Sequence, residues 1–525
     1  MRSEELGKRS EKVKKVFLFV SIFFILYGGV WAQDFGFGFG SDEESETSKP
    51  GVTFSVSGEM YAEAAPYFDD FLERAELDEI SAWNVKLNLE LASSYIDVFA
   101  SFNFNAASIG ELWSGSEMLK ETNYTPLIIN EAFLRGYIGP VNIEAGYRKL
   151  TWGRADSNGP LDITNPVDFS DLRNITDIMG NKIARPMVRV TWNAGAFSKL
   201  EGVFIPNFSG HRFAETGRWA PSQYTNMMST VETGIFARAD ENYGFLFNAP
   251  GVADIFDGLF NTAKGEFQEY FDNNPVSSPS SKSIDYFQAG LRFTTTIGSA
   301  DIGAQYFYGN FMRPSFTLSG VDNFLDDIVN TNMAMQMAGL LPSYTGNPAL
   351  LAPQIKYNRY HQIGIDYAQV LFGFNVRAEL AFHLTEDLNG SDGSVQNPFI
   401  GWSLGFDRDL FWGINLNMIS IGTVRLFHDK VNSNPVIDAE AGTNMTSTRL
   451  SVQLSKKFLR DNLETKATVI WDIENMDFYI IPAIVWISGN LTSEISAGFF
   501  TGNEDGELGQ YRKNSFLKLC LTYSF

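Results

Sequence analysis

Between residues 131 and 189, arginines and carboxylates recur at the even spacing that puts side chains on one face of an extended chain. Glu131 and Arg135 share a face, as do Asn142, Glu144 and Arg148, and then Arg185 and Arg189, because successive Cβ atoms of a strand point to opposite sides. Arg154, Asp156, Asp162 and Asp168 fall in the segment between the last two groups. Such an array offers fixed charge rather than bond-breaking chemistry. Arginines set against carboxylates build a transverse field that orients polar solutes and selects ions. Mutual pairing keeps both partners ionised. The same pairs would equally pin a loop to a wall, so a selective role and a structural one both stand open.

Other chemistry finds little support. His211, His361, His383 and His428 lie on separate segments with no His-x-x-x-His spacing, which leaves no recognisable metal site. A catalytic centre would need a base beside a nucleophile or an activated water, and no spacing marks one. Gly36, Gly38 and Gly40 lack the strand-then-helix setting of a phosphate loop. The single cysteine, Cys520, excludes an internal disulfide and a Cys-based zinc site. We therefore expect a protein that is not an enzyme, with no metal and no cofactor. The formal charge of −22 over 525 residues argues against nucleic acid as a partner.

The elements that must position these charges show in the texture of the chain. From Val52 onward, stretches of about ten residues alternate apolar and polar side chains, the signature of a transmembrane barrel. Trp83, Val85, Leu87, Leu89 and Leu91 alternate with Asn84, Lys86, Asn88 and Glu90. Phe374, Val376, Ala378, Leu380 and Phe382 alternate with Asn375, Arg377, Glu379 and His383. Tight links such as Gly139-Pro140, Gly298-Ser299 and Gly489 alternate with long ones near 106–127, 153–184, 207–283 and 313–356. Short turns on one side and long loops on the other match the asymmetry of outer-membrane barrels. We expect an all-β, antiparallel up-and-down barrel of eighteen strands, or sixteen if one hairpin is miscounted. The strands should begin near 52, 82, 95, 128, 141, 185, 198, 284, 300, 357, 372, 398, 411, 446, 461, 477, 490 and 514. Short turns and both termini would be periplasmic, and the long loops extracellular.

Two of those loops carry helical periodicity. Val252, Ile255, Phe256, Leu259, Phe260, Ala263 and Phe267 fit one helix face, and Phe324, Leu325, Ile328, Met335 and Leu340 do so less cleanly. Each would either fold into the lumen as a constriction or pack on the extracellular rim.

The N-terminus sets the compartment. Lys8, Arg9, Lys12, Lys14 and Lys15 precede the apolar run Val16 to Tyr27, and Val30 and Ala32 occupy the small-residue positions before a cleavage site. Residues 1–32 are expected to be a signal peptide, since the apolar run is short for a membrane-spanning helix. Six Lys/Arg and three Asp/Glu leave with them, so the remainder carries −25. Residues 33–51, with Phe35 to Gly40 running into Ser41-Asp42-Glu43-Glu44, read as a flexible acidic lead-in. The barrel would occupy 52–525. At the other end Leu517, Leu519, Leu521, Tyr523 and terminal Phe525 form one apolar face. That pattern looks like the C-terminal signal recognised by barrel-assembly machinery.

Glu131-Ala132-Phe133, Gly146-Tyr147-Arg148, Trp152-Gly153-Arg154-Ala155-Asp156, Asp162 and Asn165-Pro166-Val167-Asp168 form a series. It resembles a Gram-negative family of porin-like outer-membrane barrels of unassigned function. That family carries a strand with Arg/Asn-Glu-Ala-aromatic, a strand with Gly-x-Gln, and a Trp-Gly-x-x-Asp loop leading to Asn-Pro-x-Asp. The similarity continues through Tyr306-Phe307-Tyr308-Gly309, Arg377-Ala378-Glu379 and Asn514 to Phe525, with one departure where Tyr147-Arg148 stand in place of Gln. The resemblance implies the fold and a transport class, and leaves the cargo open.

The expected function is thus a porin-like channel for ions or small solutes across the bacterial outer membrane. Glu131, Arg135, Glu144, Arg148, Arg154, Asp156, Asp162, Asp168, Arg185 and Arg189 are its constriction candidates. Two alternatives are a gated channel for hydrophobic compounds and a surface adhesin or structural barrel. An apolar pocket on the inward faces of the middle strands would favour the former, and exposed loops without conductance the latter. Expected partners are outer-membrane lipid, periplasmic chaperones, the assembly machinery and small solutes. A homo-oligomer stays open as well, although no residue specifies its interface.

Overall fold

Alternating apolar and polar side chains make a strand amphipathic, and a strand in lipid must also pair both of its edges. The chain meets both demands by closing on itself. The computed structural model describes residues 52–69, 81–106, 121–122, 125–126, 129–155, 159–214, 216–247, 284–341 and 343–525. The expected signal peptide, the acidic lead-in and the apolar periodicity of 252–267 all lie outside these residues.

Eighteen strands form one sheet, each antiparallel to its chain neighbour, and the last closes on the first. The strands are β1 (Thr53–Ala64), β2 (Ser81–Ala92), β3 (Ile96–Ala106), β4 (Ile129–Ile138), β5 (Val141–Arg148) and β6 (Arg185–Asn193). They continue with β7 (Ser198–Ile205), β8 (Gln288–Ile297), β9 (Ala300–Asn310), β10 (Arg359–Leu371), β11 (Phe374–Thr385) and β12 (Phe399–Asp409). The last six are β13 (Ile414–Arg425), β14 (Thr446–Phe458), β15 (Leu463–Asp472), β16 (Asp477–Ser488), β17 (Leu491–Thr501) and β18 (Phe516–Ser524). The largest offset from the expected starts is at β8, which begins at Gln288 because a 3-10 turn, Ile284–Tyr286, occupies the residues before it. At the seam Glu59 lies opposite Ser524 and Ala64 opposite Leu519, and Phe525 exchanges both backbone hydrogen bonds with Gly58.

Leu134, Val188, Leu291, Ile363, Ile365, Leu380, Leu404, Leu454, Ile484 and Ile495 all face outward and are exposed. In water such a belt would be an aggregation surface, and against hydrocarbon it is the stable solution. The protein is a membrane-spanning β-barrel. Leu517, Leu519, Leu521, Tyr523 and Phe525 lie on this outer face of β18 and its terminus. The sixteen-strand alternative is set aside, since every expected hairpin is present.

The long links build a cap on one rim. Helix α1 (Met227–Phe247) follows β7, and α2 (Val321–Met337) follows β9. Val231, Ile235 and Ala239 on α1 meet Phe324, Leu325 and Ile328 on α2, together with Leu318, Leu351 and Val436. All of these belong to long links, so α2 packs against other links and not against a barrel strand in this core. Of the five residues expected on its apolar face, Phe324, Leu325 and Ile328 are buried, while Leu340 lies beyond the helix and is exposed. Helix α1 was not expected at all.

Phe324 is fully buried in this cap, so Phe324→Ala should cost about 3–5 kcal/mol of cap stability. Limited proteolysis of the 206–287 link should accelerate while the barrel keeps its heat-modifiable gel mobility. Unchanged protease resistance would show that the cap does not depend on this core.

Candidate functional site

Inward-facing side chains of β4 to β7 form a ladder of opposite charges. Glu144 is its hub. Only 4% exposed, it receives Arg135 Nε at 2.7 Å and Arg189 Nη1 at 3.2 Å, with Arg148 Nε at 3.3 Å. Arg148 also reaches Glu131 at 3.1 Å, and Arg189 reaches Glu201 of β7 at 2.5 Å. Asp97 of β3 and Lys199 of β7 close the two ends, at 3.8 Å from Arg135 and 3.2 Å from Glu201. Cross-strand register explains the arrangement: Asp97 opposes Arg135, which opposes Glu144, which opposes Arg189. Directly opposed residues on one sheet face have Cβ atoms only ~5 Å apart, so the nearest partner of each arginine is on the wall itself.

Phe133 lies within the ladder. The Arg148 guanidinium is 4.0 Å from its centroid, and Phe99 packs against it, tilted, at 5.3 Å. Gly146 makes room for it, because a Cβ there would come within 2.7 Å of the Phe133 Cα. A cavity of about 220 Å³ opens on this surface, lined by Glu90, Asp97, Phe99, Glu131, Phe133, Arg135 and Arg148.

The link between β5 and β6 folds inward and crosses the lumen. Its first half packs on β7 to β12. The Trp152 indole N–H donates to Glu201 at 2.6 Å, and its ring meets Phe307 edge-on above Gly290, where any Cβ would collide with it. Arg154 bonds Asp366 of β10 at 2.8 Å and Asp301 of β9 at 3.3 Å. The Glu379 carboxylate of β11 accepts the backbone N–H groups of Arg154, Ala155 and Leu161. Gly153 and Gly159 allow that approach, since a Cβ at either would fall within 2.4 Å of the carboxylate, and Gly153 has φ +91°. Gln362 and Gln305 donate to the carbonyls of Pro160 and Leu161.

The second half of the link reaches the opposite wall. Arg173 pairs with Glu63 of β1 at 3.2 Å, and Lys518 of β18 donates to the Asn174 side chain at 2.8 Å. Leu172 enters an aromatic cluster of Tyr67, Trp219, Tyr479, Phe500 and Tyr511. Asp168–Phe169 pairs in parallel with Arg212–Phe213 of the β7–β8 link.

The expected residues therefore divide into groups. Glu131, Arg135, Glu144, Arg148 and Arg189 meet in the wall ladder. Arg154 belongs to the far wall. Asp162 pairs with Lys182 at 2.7 Å inside the link, where burial pushes its carboxyl above the ordinary carboxylate value against the pull of Lys182. Asp168 pairs with Arg212 at 3.0 Å. Arg185 faces inward but is fully buried, donating to the carbonyls of Thr164 and Asn207. Asp156 lies outside the described residues. The expected arginine wall facing loop carboxylates thus takes another form, with wall carboxylates between the arginines and loop carboxylates paired elsewhere. Glu201, Asp97 and Phe133 went unselected although alternation places each on the inward face. Glu379 stood in the Arg377-Ala378-Glu379 series without a role and Asp366 gave no signal, because the groups of the link that they hold lie more than 200 residues away. Among the described residues no group of three or more His, Cys, Asp or Glu is placed to hold a metal ion.

No family model matches the chain, and no curated protein matches it. Among solved structures it is similar to a BenF-like porin from Pseudomonas fluorescens Pf-5, at 8% identity and TM-score 0.43, covering 90% of this chain and 98% of that one. OccK3 (OpdO) of Pseudomonas aeruginosa gives 8% identity and TM-score 0.42, covering 90% and 95%. The outer membrane channel DcaP of Acinetobacter baumannii gives 10% and 0.37, covering 91% and 99%. Likenesses this distant carry neither a substrate nor a residue role to this chain.

Two predictions follow from the crossing link. Gly153→Ala places a methyl group against Glu379 in a left-handed backbone and should weaken the seat of the link by about 1–3 kcal/mol. Trp152 should become more accessible to aqueous quenchers in the folded barrel, and unchanged quenching would count against the seat. The second concerns pH. His211 accepts the Val167 N–H at 2.9 Å between Phe169 and Phe213. Burial, reinforced by nearby Arg313 and Arg185, holds its pKa down at about 3 against an ordinary 6.5. A neutral histidine of this kind stabilises the fold fully above pH 6.5, and the contribution is lost as pH falls from there toward 3. Proteolysis of the 159–214 segment should accelerate on acidification through this window. His211→Gln should flatten the profile, and an equally steep profile would place the sensitivity elsewhere.

Proposed function

We propose that the barrel is a porin-like diffusion channel for ions and small hydrophilic solutes, with the ladder of β4–β6 lining its narrowest part. The observation that carries this reading is the cavity on the ladder. The crossing link is fastened to β7–β12 on one side and to β1, β16 and β18 on the other, while the β2–β5 sector keeps a charged cavity against the lumen. A barrel of 16–18 strands is wide enough for an aqueous channel, and an inward link narrows it until side-chain charge acts on each solute. The pinning and selective roles of the charges are largely divided here, since Asp366, Glu379 and Glu63 hold the link while the ladder lines the opening beside it.

A channel for hydrophobic compounds would need an apolar pocket on the middle strands. Their inward faces carry Gln305, Gln362, Asp366, Glu379 and Ser403, all buried and polar, and the apolar Phe307 and Tyr360 beside them are taken up by Leu150 and Trp152 of the crossing link, which favours hydrophilic cargo.

The test is conductance of the refolded chain in planar bilayers, alongside the Arg148→Ala, Arg189→Ala double variant. Stable ohmic steps are expected, with the anion-to-cation permeability ratio lowered several-fold in the variant. A folded barrel that conducts nothing would overturn the channel reading and favour an adhesive or structural one. Conductance with unchanged selectivity would remove the ladder from the constriction.

A further inference from the structure

The charges around the cavity on the ladder do not balance. Between two rows of ladder charges runs a row of another kind, Glu90, Phe99, Phe133 and Gly146, each opposite the next on β2 to β5. Three carboxylates line the cavity, those of Glu90, Asp97 and Glu131, against the two guanidinium groups of Arg135 and Arg148. Neither arginine is free to receive a solute, since each is shared between a lining carboxylate and Glu144, which stands outside the lining. Glu131 is held by Arg148 and the Lys149 N–H, and Asp97 by the Tyr137 hydroxyl, the Ser93 N–H and Arg135. Glu90 is different. Among the described residues its side chain has no hydrogen-bond or ion-pair partner. Lys86, the one cation of β2, lies two inward positions away and does not line the cavity. The aromatic faces divide in the same way. Phe133 already carries Arg148 at 4.0 Å and Arg135 at 5.5 Å from its centroid, whereas no described cation lies over Phe99.

We propose that this cavity is a binding site for a small organic cation, an ammonium or guanidinium group on a short apolar body. Glu90 supplies the ion-pair partner, and the open Phe99 ring receives the apolar body or the edge of the cation itself. An anion would have to draw an arginine off its carboxylates and would then stand beside Glu90, with like charges opposed. A neutral solute gains the ring but not the charge. At about 220 Å³ the space falls below the roughly 300–1,000 Å³ of sites for drug-sized ligands, so it suits one ring or a short chain. Glu90 and Asp97 flank the turn between β2 and β3, which puts the site at the short-turn end of the lumen. The proposal deepens the channel reading and rests on it, because the cation would be a permeating solute.

Titration calorimetry of the whole refolded chain in lipid nanodiscs tests this with three probes of similar shape, 2-phenylethylammonium, 2-phenylethanol and phenylacetate. The ammonium should bind about tenfold more tightly than the alcohol, the difference that one charge-assisted hydrogen bond makes, and phenylacetate should bind most weakly. Comparison with Glu90→Gln in the same nanodiscs cancels partition into lipid. In that variant the ammonium should fall to the level of the alcohol, while Glu90→Asp, which keeps the charge, should hold most of the preference. Phe99→Leu should weaken the ammonium and the alcohol together. Heat-modifiable gel mobility shows that each variant is folded. If phenylacetate binds best, or if either Glu90→Gln or Phe99→Leu leaves the affinity of the ammonium unchanged, the cavity is not a cation site. Binding is read without current, so the two readings can fail separately. A barrel that conducts without preferring the ammonium overturns the cation site alone, and one that binds it without conducting overturns the channel alone.

Discussion

Hydrocarbon offers no hydrogen-bond partner to a peptide group, so a chain without an apolar spanning helix can cross a bilayer only by pairing every strand edge. Most other features follow from that constraint. Strands must be long enough to cross, antiparallel, and joined by alternating short and long links, and the last must find the first. The seam between β1 and β18 completes the ring through Gly58 and the terminal Phe525. Once the ring is closed, the outer face is committed to lipid and only the inner face can carry charge. Polarity then accumulates inside, and the interior becomes the place where electrostatics is settled.

Two buried carboxylates settle it in different ways. Glu144 is surrounded by three guanidinium groups, which stand in for the hydration it loses. Glu379 draws instead on three backbone N–H groups of the crossing link, with Arg154 one hydrogen-bond shell away on Asp366. The first solution is a wall that stays put whether or not the link is present. The second cannot exist without the link, because the donors belong to it. Glu379 therefore works as a latch, and Gly153 and Gly159 are what let the backbone reach it.

Much of this was legible in the sequence, and the pattern of what was not is physically consistent. Period-two alternation is a local property, so the strands and the inward face of Glu131, Arg135, Glu144, Arg148 and Arg189 could be read directly. Glu201 was equally readable on its strand, two residues from Lys199, but its arginine comes from the neighbouring strand. Helix α1 was hidden because its buried stripe, Val231, Ile235 and Ala239, is three residues wide with Gly234 between them. The resemblance series marked Trp152-Gly153-Arg154 without saying why. Its partners, Glu201, Gly290, Phe307, Asp366 and Glu379, come from five strands, and no spacing rule connects them. Long-range contacts made by a crossing link are set by barrel closure, which a linear reading does not supply.

The ladder also bears on what kind of selectivity such a wall can exert. Asp97, Glu131, Glu144 and Glu201 interleave with Arg135, Arg148, Arg189 and Lys199, so their charges cancel within a few ångströms. At a distance longer than the ~8 Å screening length of physiological salt, a wall of this kind is nearly neutral. A solute that comes within hydrogen-bonding range meets strong local fields of both signs, with Phe99 and Phe133 between them. Long-range attraction of one ion type would need an unbalanced row, which these residues do not form. Discrimination then depends on how closely a solute is forced against the wall. The width left by the crossing link, and hence the seat of Trp152 and Glu379 on the far side of the lumen, controls how far the ladder can be felt.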